Sequence, residues 1–227
     1  MIGVTLDRPW LRADLGLAMR VLSFAPYRPG FVSARHVLWR EVRNADLKPG
    51  FDAIDWLADA VAGQDAVQDA VAMLTSRDVG TYRLETAEQG LFRATCLATV
   101  GLSNAERVGT RLPVATQGHG TINLLVAITP GLTDTAMIEA LSIAAEARTA
   151  AVMEAGLHLQ TGLATGTGTD CIAIACPPGD IAYAGLHTAA GEVIGRAVHD
   201  AIAGGCAQWM ATEGVNFGQR QDGLETP

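Results

Sequence analysis

Apolar residues recur along this chain in short runs that predict strands. The runs are rich in Val, Ile, Leu and Phe, and Gly or Pro separates several of them. Two runs follow Gly- and Thr-rich turns and end at Thr129 and Cys176. The other predicted strands cover about residues 11–15, 19–24, 31–42 and 91–100. The pattern therefore predicts one substantial sheet.

Apolar positions three and four residues apart predict four helices. The first two cover about residues 51–62 and 65–74. The third follows Thr133, a good N-cap residue, and ends at Gly156, which suits the position after a C-cap. The fourth covers about residues 188–203. All four are rich in alanine, which allows close packing on a sheet.

The order of these elements predicts an α/β fold of the α+β type. We expect a single domain over residues 1–218, with a mainly antiparallel mixed sheet packed against alanine-rich helices, and a polar tail over residues 219–227. An internal similarity suggests a pseudo-repeat, because Gly118-x-Gly-Thr-x-Asn123 and Gly166-x-Gly-Thr-Asp170 each precede a strand and then a helix. Two such units side by side would bring both turns to the same end of the sheet.

Composition and charge limit the kinds of partner that this chain is expected to bind. Of 227 residues, 49% are hydrophobic and 18% are charged, which is typical of a folded chain with a core. Acidic residues outnumber basic ones by 24 to 16, the net charge is −8, and Lys and Arg form no cluster. We therefore expect neither nucleic acid nor a membrane surface as a partner. With no signal-peptide pattern and no membrane-spanning apolar run, the sequence predicts a cytoplasmic protein, and its alanine-rich helices suit a homodimer.

The cysteine pattern predicts free thiols. Cys96, Cys171, Cys176 and Cys206 show no C-x-x-C spacing. Cys171 and Cys176 lie on an apolar segment, where a thiol behaves as a small hydrophobic group. We therefore predict buried free thiols, and nothing in the spacing of the His, Cys and acidic residues requires a metal.

The strongest candidate for a functional site is the Gly- and Thr-rich segment over residues 161–170. Its glycines let the backbone approach a ligand closely, and its hydroxyls and the Asp170 carboxylate add polar groups. A phosphate cradle is one interpretation, but the Lys that follows the glycines of a P-loop is absent. The segment therefore favours a site of another kind.

Five short segments occur in an order that is typical of one enzyme family. They are Thr99-Val-Gly-Leu-Ser-Asn-Ala105, Gly120-Thr-Ile-Asn123, Ala145-Glu-Ala-Arg-Thr-Ala150, Ala164-Thr-Gly-Thr-Gly-Thr-Asp170, and Tyr183-Ala-Gly-Leu-His-Thr188 followed by Gly191-Glu-Val-Ile-Gly195. Together they resemble the adenosylcobinamide amidohydrolase family of corrinoid salvage. The resemblance is strongest over residues 91–203. The N-terminal part is similar in layout only, and Tyr27-Arg-Pro-Gly30 stands where the family's Asn-Gly-Gly turn is expected.

The resemblance implies hydrolysis of an amide in adenosylcobinamide, namely the bond between the corrin ring's propionate side chain and the aminopropanol arm. The products would be adenosylcobyric acid and aminopropanol or its phosphate, in cobalamin salvage. The corrinoid would then be the substrate, and no cofactor is expected. The departure at residues 27–30 leaves a second interpretation open, a corrinoid-binding carrier or sensor without catalysis.

Neither a G-x-S-x-G elbow nor an H-E-x-x-H helix occurs in the chain, so catalytic residues are sought in the segments above. The candidates are Asp170, His187 and Glu146. Asp170 could act as a base or bind the amides of its own loop. His187 could transfer a proton or line the turn before the last helix. Glu146 has small neighbours that would let a second element approach, yet this helix also carries ordinary surface carboxylates.

Further polar residues of the same segments are candidates for binding the substrate. Asn104 and Asn123 could donate to an oxyanion or form Asx turns. Glu192 stands four residues before Arg196, a spacing that also suits a solvated ion pair. His119 is a further candidate beside the Gly120 turn. The predicted substrate-binding residues are Asn104, Gly120, Thr121, Asn123, Thr165, Gly166, Thr167, Gly168, Thr169 and Glu192.

Overall fold

The computed structural model describes residues 2–43, 52–64, 69–110 and 120–214. Within these ranges the strands are β1 (Gly3–Asp7), β2 (Trp10–Ser23), β3 (Gly30–Glu41), β4 (Val71–Thr75), β5 (Arg83–Gln89), β6 (Phe92–Val100), β7 (Ala105–Glu106), β8 (Ile122–Thr129), β9 (His158–Leu159), β10 (Gly162–Leu163), β11 (Gly166–Thr167) and β12 (Cys171–Cys176). The helices are α1 (Ala53–Ala62), α2 (Asp134–Glu154) and α3 (Ala189–Trp209), with a 3-10 turn at Val79–Thr81 and a π-helical turn at Met210–Gly214.

Eight of these strands form one mixed sheet. Its order is β4-β3-β2-β12-β8-β6-β5, and β1 pairs with β2 outside this path. The β12–β8 and β3–β4 pairs are parallel, and the remaining pairs of the sheet are antiparallel. Strand β12 therefore joins the N-terminal half of the sheet, β1 to β4, to the half formed by β5, β6 and β8.

Alternate residues of the sheet face different cores. Leu124 and Val126 of β8 pack in a core with α2 and α3, whereas Leu125 belongs to a second core together with Trp39 of β3. Because this second core collects residues from β2, β3 and β4 and also from β6, β8 and β12, the two halves of the sheet pack against each other. Leu57 of α1 covers the outer face of the N-terminal half. The layers, in order, are therefore helices α2 and α3, the sheet half with β5, β6 and β8, the N-terminal sheet half, and helix α1.

Side-chain caps and close contacts fix helices α2 and α3. Thr133 Oγ1 accepts a hydrogen bond from the backbone N–H of Ala136 at 3.3 Å, and Thr188 Oγ1 accepts one from Gly191 at 2.9 Å. A Cβ on Gly191 would lie 2.3 Å from the carbonyl oxygen of Gly185, so only glycine fits there. The predicted start of α2 is therefore confirmed, and the predicted fourth helix is α3, which extends beyond residue 203.

The predicted fold class is confirmed, since the described residues form one mixed, mainly antiparallel sheet packed with alanine-rich helices. The predicted strands over residues 11–15 and 19–24 are one strand, β2, whose pairing with β3 shifts register between Asp14 and Met19. An internal repeat is not confirmed. The predicted tail over residues 219–227 lies outside the described residues. No helix in the described ranges has both the length and the apolar character needed to cross a membrane.

The second predicted helix is wrong over the part that the structure describes. Residues 65–68 lie outside the described ranges, and Val71–Thr75 form strand β4. Val71 and Met73 face the core between the two sheet halves, whereas Ala72 faces the core under α1. A strand buried on both faces is continuously apolar, so its pattern does not distinguish it from a buried helix.

Candidate active site

The two Gly-Thr turns meet at one end of the sheet. Strands β8 and β12 are parallel neighbours, with Asn123 opposite Cys171, so the turns that precede them lie side by side. Thr121 Oγ1 donates to the carbonyl oxygen of Thr169 at 2.7 Å, and Thr169 Oγ1 donates to that of Gly120 at 3.3 Å. We call residues 120–123 and 165–170 the composite site. The predicted meeting of the two turns is therefore observed.

Asp170 joins the two turns through its side chain. Its carboxylate accepts hydrogen bonds from the backbone N–H of Ile122 at 3.1 Å and from the backbone N–H and hydroxyl of Thr167 at 3.0 and 2.5 Å. Arg148 of α2 forms an ion pair with the same carboxylate. Burial raises the pKa of the Asp170 carboxyl, and Arg148, Thr167 and Ile122 oppose that rise. All four contacts are donors, so they favour the carboxylate form.

Asn123 lies beneath the turns and is fully buried. Its Nδ2 donates to the carbonyl oxygen of Leu74, at the end of β4, at 2.6 Å. Its Oδ1 accepts a hydrogen bond from the hydroxyl of Thr121 at 3.3 Å. Because Leu74 and Asn123 belong to opposite halves of the sheet, this side chain joins both halves directly under the composite site.

The segment after β6 forms a further wall of the composite site. The backbone N–H of Gly168 donates to the carbonyl oxygen of Asn104 at 3.1 Å, and strands β7 and β11 pair in antiparallel fashion. Thr165 Oγ1 accepts a hydrogen bond from the backbone N–H of Val108 at 2.7 Å. A Cβ on Gly120 would lie 2.6 Å from the backbone nitrogen of Ser103. Only glycine therefore allows the turns to approach this segment so closely.

Three further predicted residues gather elsewhere, in a pocket of about 550 Å³ between α2 and α3. Glu146, His187 and Glu192 line it, together with His199 and Gln89. Glu146, His187 and Glu192 are all exposed. We call this pocket the helix pocket. It contains Glu146, His187 and Glu192, three predicted site residues that lie outside the composite site.

Glu192, Glu146 and His199 of the helix pocket already have partners on its rim. Glu192 pairs with Arg196, as its spacing predicts for a surface ion pair. Glu146 accepts a hydrogen bond from the hydroxyl of Ser142 at 3.1 Å. His199 Nε2 lies 2.8 Å from the Glu154 carboxylate, and this hydrogen bond raises the pKa of His199. The rim therefore carries surface contacts within α2 and within α3, and the His199–Glu154 contact joins the two helices.

The helix pocket and the composite site lie apart. Helix α3 is 21 residues long, which corresponds to about 30 Å. His187 precedes its first turn, whereas Gly205, near its other end, packs against Val100, which pairs with Ile122 next to Asp170. His187 and Asp170 are therefore near opposite ends of this helix, and the structure does not bring the three catalytic candidates together.

Sequence reasoning missed two charged residues, Arg148 at the composite site and Arg77 beside Gly101. Arg148 lies on a helix face that the apolar pattern assigns to the core. A charged residue on such a face indicates a buried ion pair, here with Asp170. Arg77 follows β4, and no sequence motif marks it. His119 lies outside the described residues. Within the described ranges, no group of three or more His, Cys, Asp or Glu residues is placed to hold a metal ion.

Two solved structures show a distant likeness to this chain. A β-aminopeptidase of Burkholderia has a TM-score of 0.46 and 11% identity, over 86% of this chain and 78% of that one. A protein of Pyrococcus horikoshii has a TM-score of 0.43 and 9% identity, over 86% and 76%. Likenesses at this level carry no argument about function.

Sequence comparison is more informative. A curated protein of Halobacterium salinarum, named adenosylcobinamide amidohydrolase, is 32% identical over 162 residues, which is 65% of this chain and 68% of that protein. The sequence model of the adenosylcobinamide amidohydrolase family matches residues 3–214. This match includes both turns of the composite site and all three helices, and the chain therefore belongs to the adenosylcobinamide amidohydrolase family.

Proposed function

We propose that this protein hydrolyses the amide between the corrin ring's propionate side chain and the aminopropanol arm of adenosylcobinamide. Amide and water would give the carboxylate of adenosylcobyric acid and a protonated amine, within cobalamin salvage. Membership of the amidohydrolase family supports this reaction. The meeting of the two Gly-Thr turns is the observation that carries the choice of the composite site. The cytoplasmic location, the homodimer and the lack of a nucleic-acid partner stay predictions.

The composite site divides into a supporting part and a reachable part. Asp170 and Asn123 are committed to hydrogen bonds that hold the turns and the two sheet halves together. Gly168 and Thr169 are exposed, and Asn104 beside them is half-buried. We therefore assign contact with the substrate amide to Asn104 and to Thr169, whose hydroxyl would turn from the Gly120 carbonyl oxygen to the substrate. Positioning of the turns is assigned to Asp170 and Asn123. Polar groups placed against a developing oxyanion are the main means by which amide hydrolysis is accelerated.

The test compares variants of the two sites in the same assay. Purified protein is incubated with adenosylcobinamide, and adenosylcobyric acid and aminopropanol are quantified by liquid chromatography. Thr169→Val and Asn104→Leu should lower kcat/KM by about 100- to 1000-fold, the range seen on removal of an oxyanion donor. His187→Gln and Glu146→Gln, in the helix pocket, should stay within about threefold of wild type.

Each other result has a defined meaning. Loss of activity in the helix-pocket variants alone would move the chemistry to that pocket. A visible-absorbance change at one corrinoid per chain, without release of acid, would instead support a carrier or sensor. If the wild type neither binds nor hydrolyses the corrinoid, the proposed function is wrong.

A further inference from the structure

Arg77 lies close to the composite site, with only Gly101 between it and the first Gly-Thr turn, although it is far from that turn in sequence. A Cβ on Gly101 would lie 3.6 Å from the Cβ of Arg77, 3.5 Å from the backbone nitrogen of Thr121 and 3.6 Å from the Cα of Gly120. Gly101 is thus enclosed between Arg77 and the first Gly-Thr turn. The backbone N–H of Gly101 also donates to the carbonyl oxygen of Thr121 at 3.0 Å. Arg77 is therefore a neighbour of the site, on the side of the N-terminal sheet half.

The guanidinium of Arg77 is buried and has few partners among the described residues. Its side chain is 8% exposed, and no described residue accepts a hydrogen bond from its Nε. Burial lowers the pKa of this guanidinium, an effect that the Asp78 carboxylate opposes. A buried cation that is not fully hydrogen-bonded is costly to maintain, so a structural role alone explains it poorly. Such groups are concentrated at functional sites.

The guanidinium of Arg77 is paired with the carboxylate of Glu213, which is exposed enough to be displaced by another carboxylate. Glu213 belongs to the π-helical turn after α3, forms an ion pair with Arg77 Nη1, and is 44% exposed. A guanidinium has five N–H donors in a planar arrangement that matches a carboxylate. Glu213 thus occupies a position that a carboxylate from solution could take.

We propose that Arg77 binds the oxygen of the scissile carbonyl group and then holds the carboxylate of the product, and that Glu213 competes for the same guanidinium. This inference rests on the proposed function. In the reaction, water adds to the carbonyl carbon, the C–N bond breaks, and the amine leaves with a proton. The carbonyl oxygen becomes one oxygen of the product carboxylate. Arg77 therefore faces a neutral oxygen before the reaction and an anionic carboxylate after it.

The charge difference between substrate and product gives a specific test. Binding of adenosylcobyric acid is measured by visible-absorbance titration, and KM and kcat are measured with adenosylcobinamide. Arg77→Gln should weaken acid binding by at least about tenfold, since hydrogen bonds to ionised groups are the strong ones, while KM changes by less than about threefold. It should also lower kcat, because the developing negative charge loses a donor. Added salt should weaken acid binding to the wild type more than to this variant.

Glu213→Gln tests the competition and keeps the proposal falsifiable if Arg77→Gln does not fold. Removal of the competing charge should tighten acid binding by about threefold or more, since a larger fraction of the guanidinium is then available. The matched control is Arg93→Gln, which breaks the exposed Arg93–Glu88 pair near the opposite end of β6. This control should change neither acid binding nor kcat.

The failures of the two proposals are distinguishable. If the wild type neither hydrolyses adenosylcobinamide nor binds the acid, the proposed function fails. If the wild type is active but Arg77→Gln binds the acid as tightly as the wild type does, Arg77 does not hold the product. The proposal is also wrong if this variant loses affinity for the acid and for the substrate amide equally. Unchanged or weaker acid binding by Glu213→Gln would show that Glu213 does not compete with the product for Arg77.

Discussion

Asp170 has two chemically reasonable roles from the sequence, a base or a ligand for its own loop, and its contacts favour the second. A base needs an oxygen that can accept a proton from water or substrate. Both oxygens of Asp170 already accept hydrogen bonds, from Thr167 and Ile122, and one also faces Arg148. Its carboxylate therefore acts as the link between the two Gly-Thr turns.

Asp170→Asn should destabilise the protein strongly. The variant leaves the guanidinium of Arg148, which is 16% exposed, without its counter-charge, and loss of one partner from a buried pair costs about 3 kcal/mol or more. We expect urea unfolding to show a fall of this size in the free energy of unfolding. Asp180→Asn, at an exposed position, is the matched control and should change it by less than about 0.5 kcal/mol. Equal stability of the two variants would contradict the linking role.

The turns of the composite site could be predicted from sequence, whereas its charged neighbours could not. Gly-Thr segments before two strands are local patterns, and the parallel pairing of those strands brings them together. The ion pair between Arg148 and Asp170 spans 22 positions, and the pair between Arg77 and Glu213 spans 136. Such contacts depend on how the elements pack, which spacing along the chain does not encode.

At the scale of elements, β4 is missed because it is buried on both faces, whereas β1 and β5 are missed because they have little to bury. Strand β5 forms one edge of the sheet, and β1 pairs only with β2 among the described residues. Both are mostly exposed, so their sequences lack the apolar run on which strand prediction depends. By contrast, the caps of α2 and α3 are local signals: Thr133 is the N-cap of α2, as predicted, and Thr188 is the N-cap of α3.

Two adjacent glycines of α3 offer a matched test of how this helix packs. A Cβ on Gly205 would lie 2.4 Å from Val100 Cγ2, whereas one on Gly204 would meet no atom closer than 3.8 Å. Gly205→Ala should lower the free energy of unfolding by about 1–3 kcal/mol through overpacking. Gly204→Ala should raise it by up to about 1 kcal/mol, because alanine favours the helix. Thermal unfolding of both variants checks this, and similar shifts would contradict the packing of α3 on β6.

At the scale of the whole molecule, the cysteines report on the integrity of both large cores. Cys96, Cys176 and Cys206 lie in the core with α2 and α3, and Cys171 lies between the two sheet halves. All four are free and buried, as predicted. Burial raises the pKa of Cys171 and Cys206 to about 12 and that of Cys96 further, so little thiolate is present at neutral pH.

Reaction with a thiol reagent should therefore follow global unfolding. At pH 8 we expect the native protein to react with Ellman's reagent far more slowly than free cysteine does, because only an accessible thiolate attacks. In concentrated guanidinium chloride all four thiols should react at once. Rapid reaction of one thiol in the native protein would show local opening of the core that contains it.

The central position of β12 has a consequence for the synthesis of the protein. This strand lies between β2 and β8, yet it follows all the other strands of the large sheet in the chain. Until residues 171–176 leave the ribosome, β2 and β8 each present an unpaired edge, and the two sheet halves have no strand between them. Unpaired edges readily bind strands of other chains. The nascent chain can therefore complete its large sheet only after residues 171–176 have emerged.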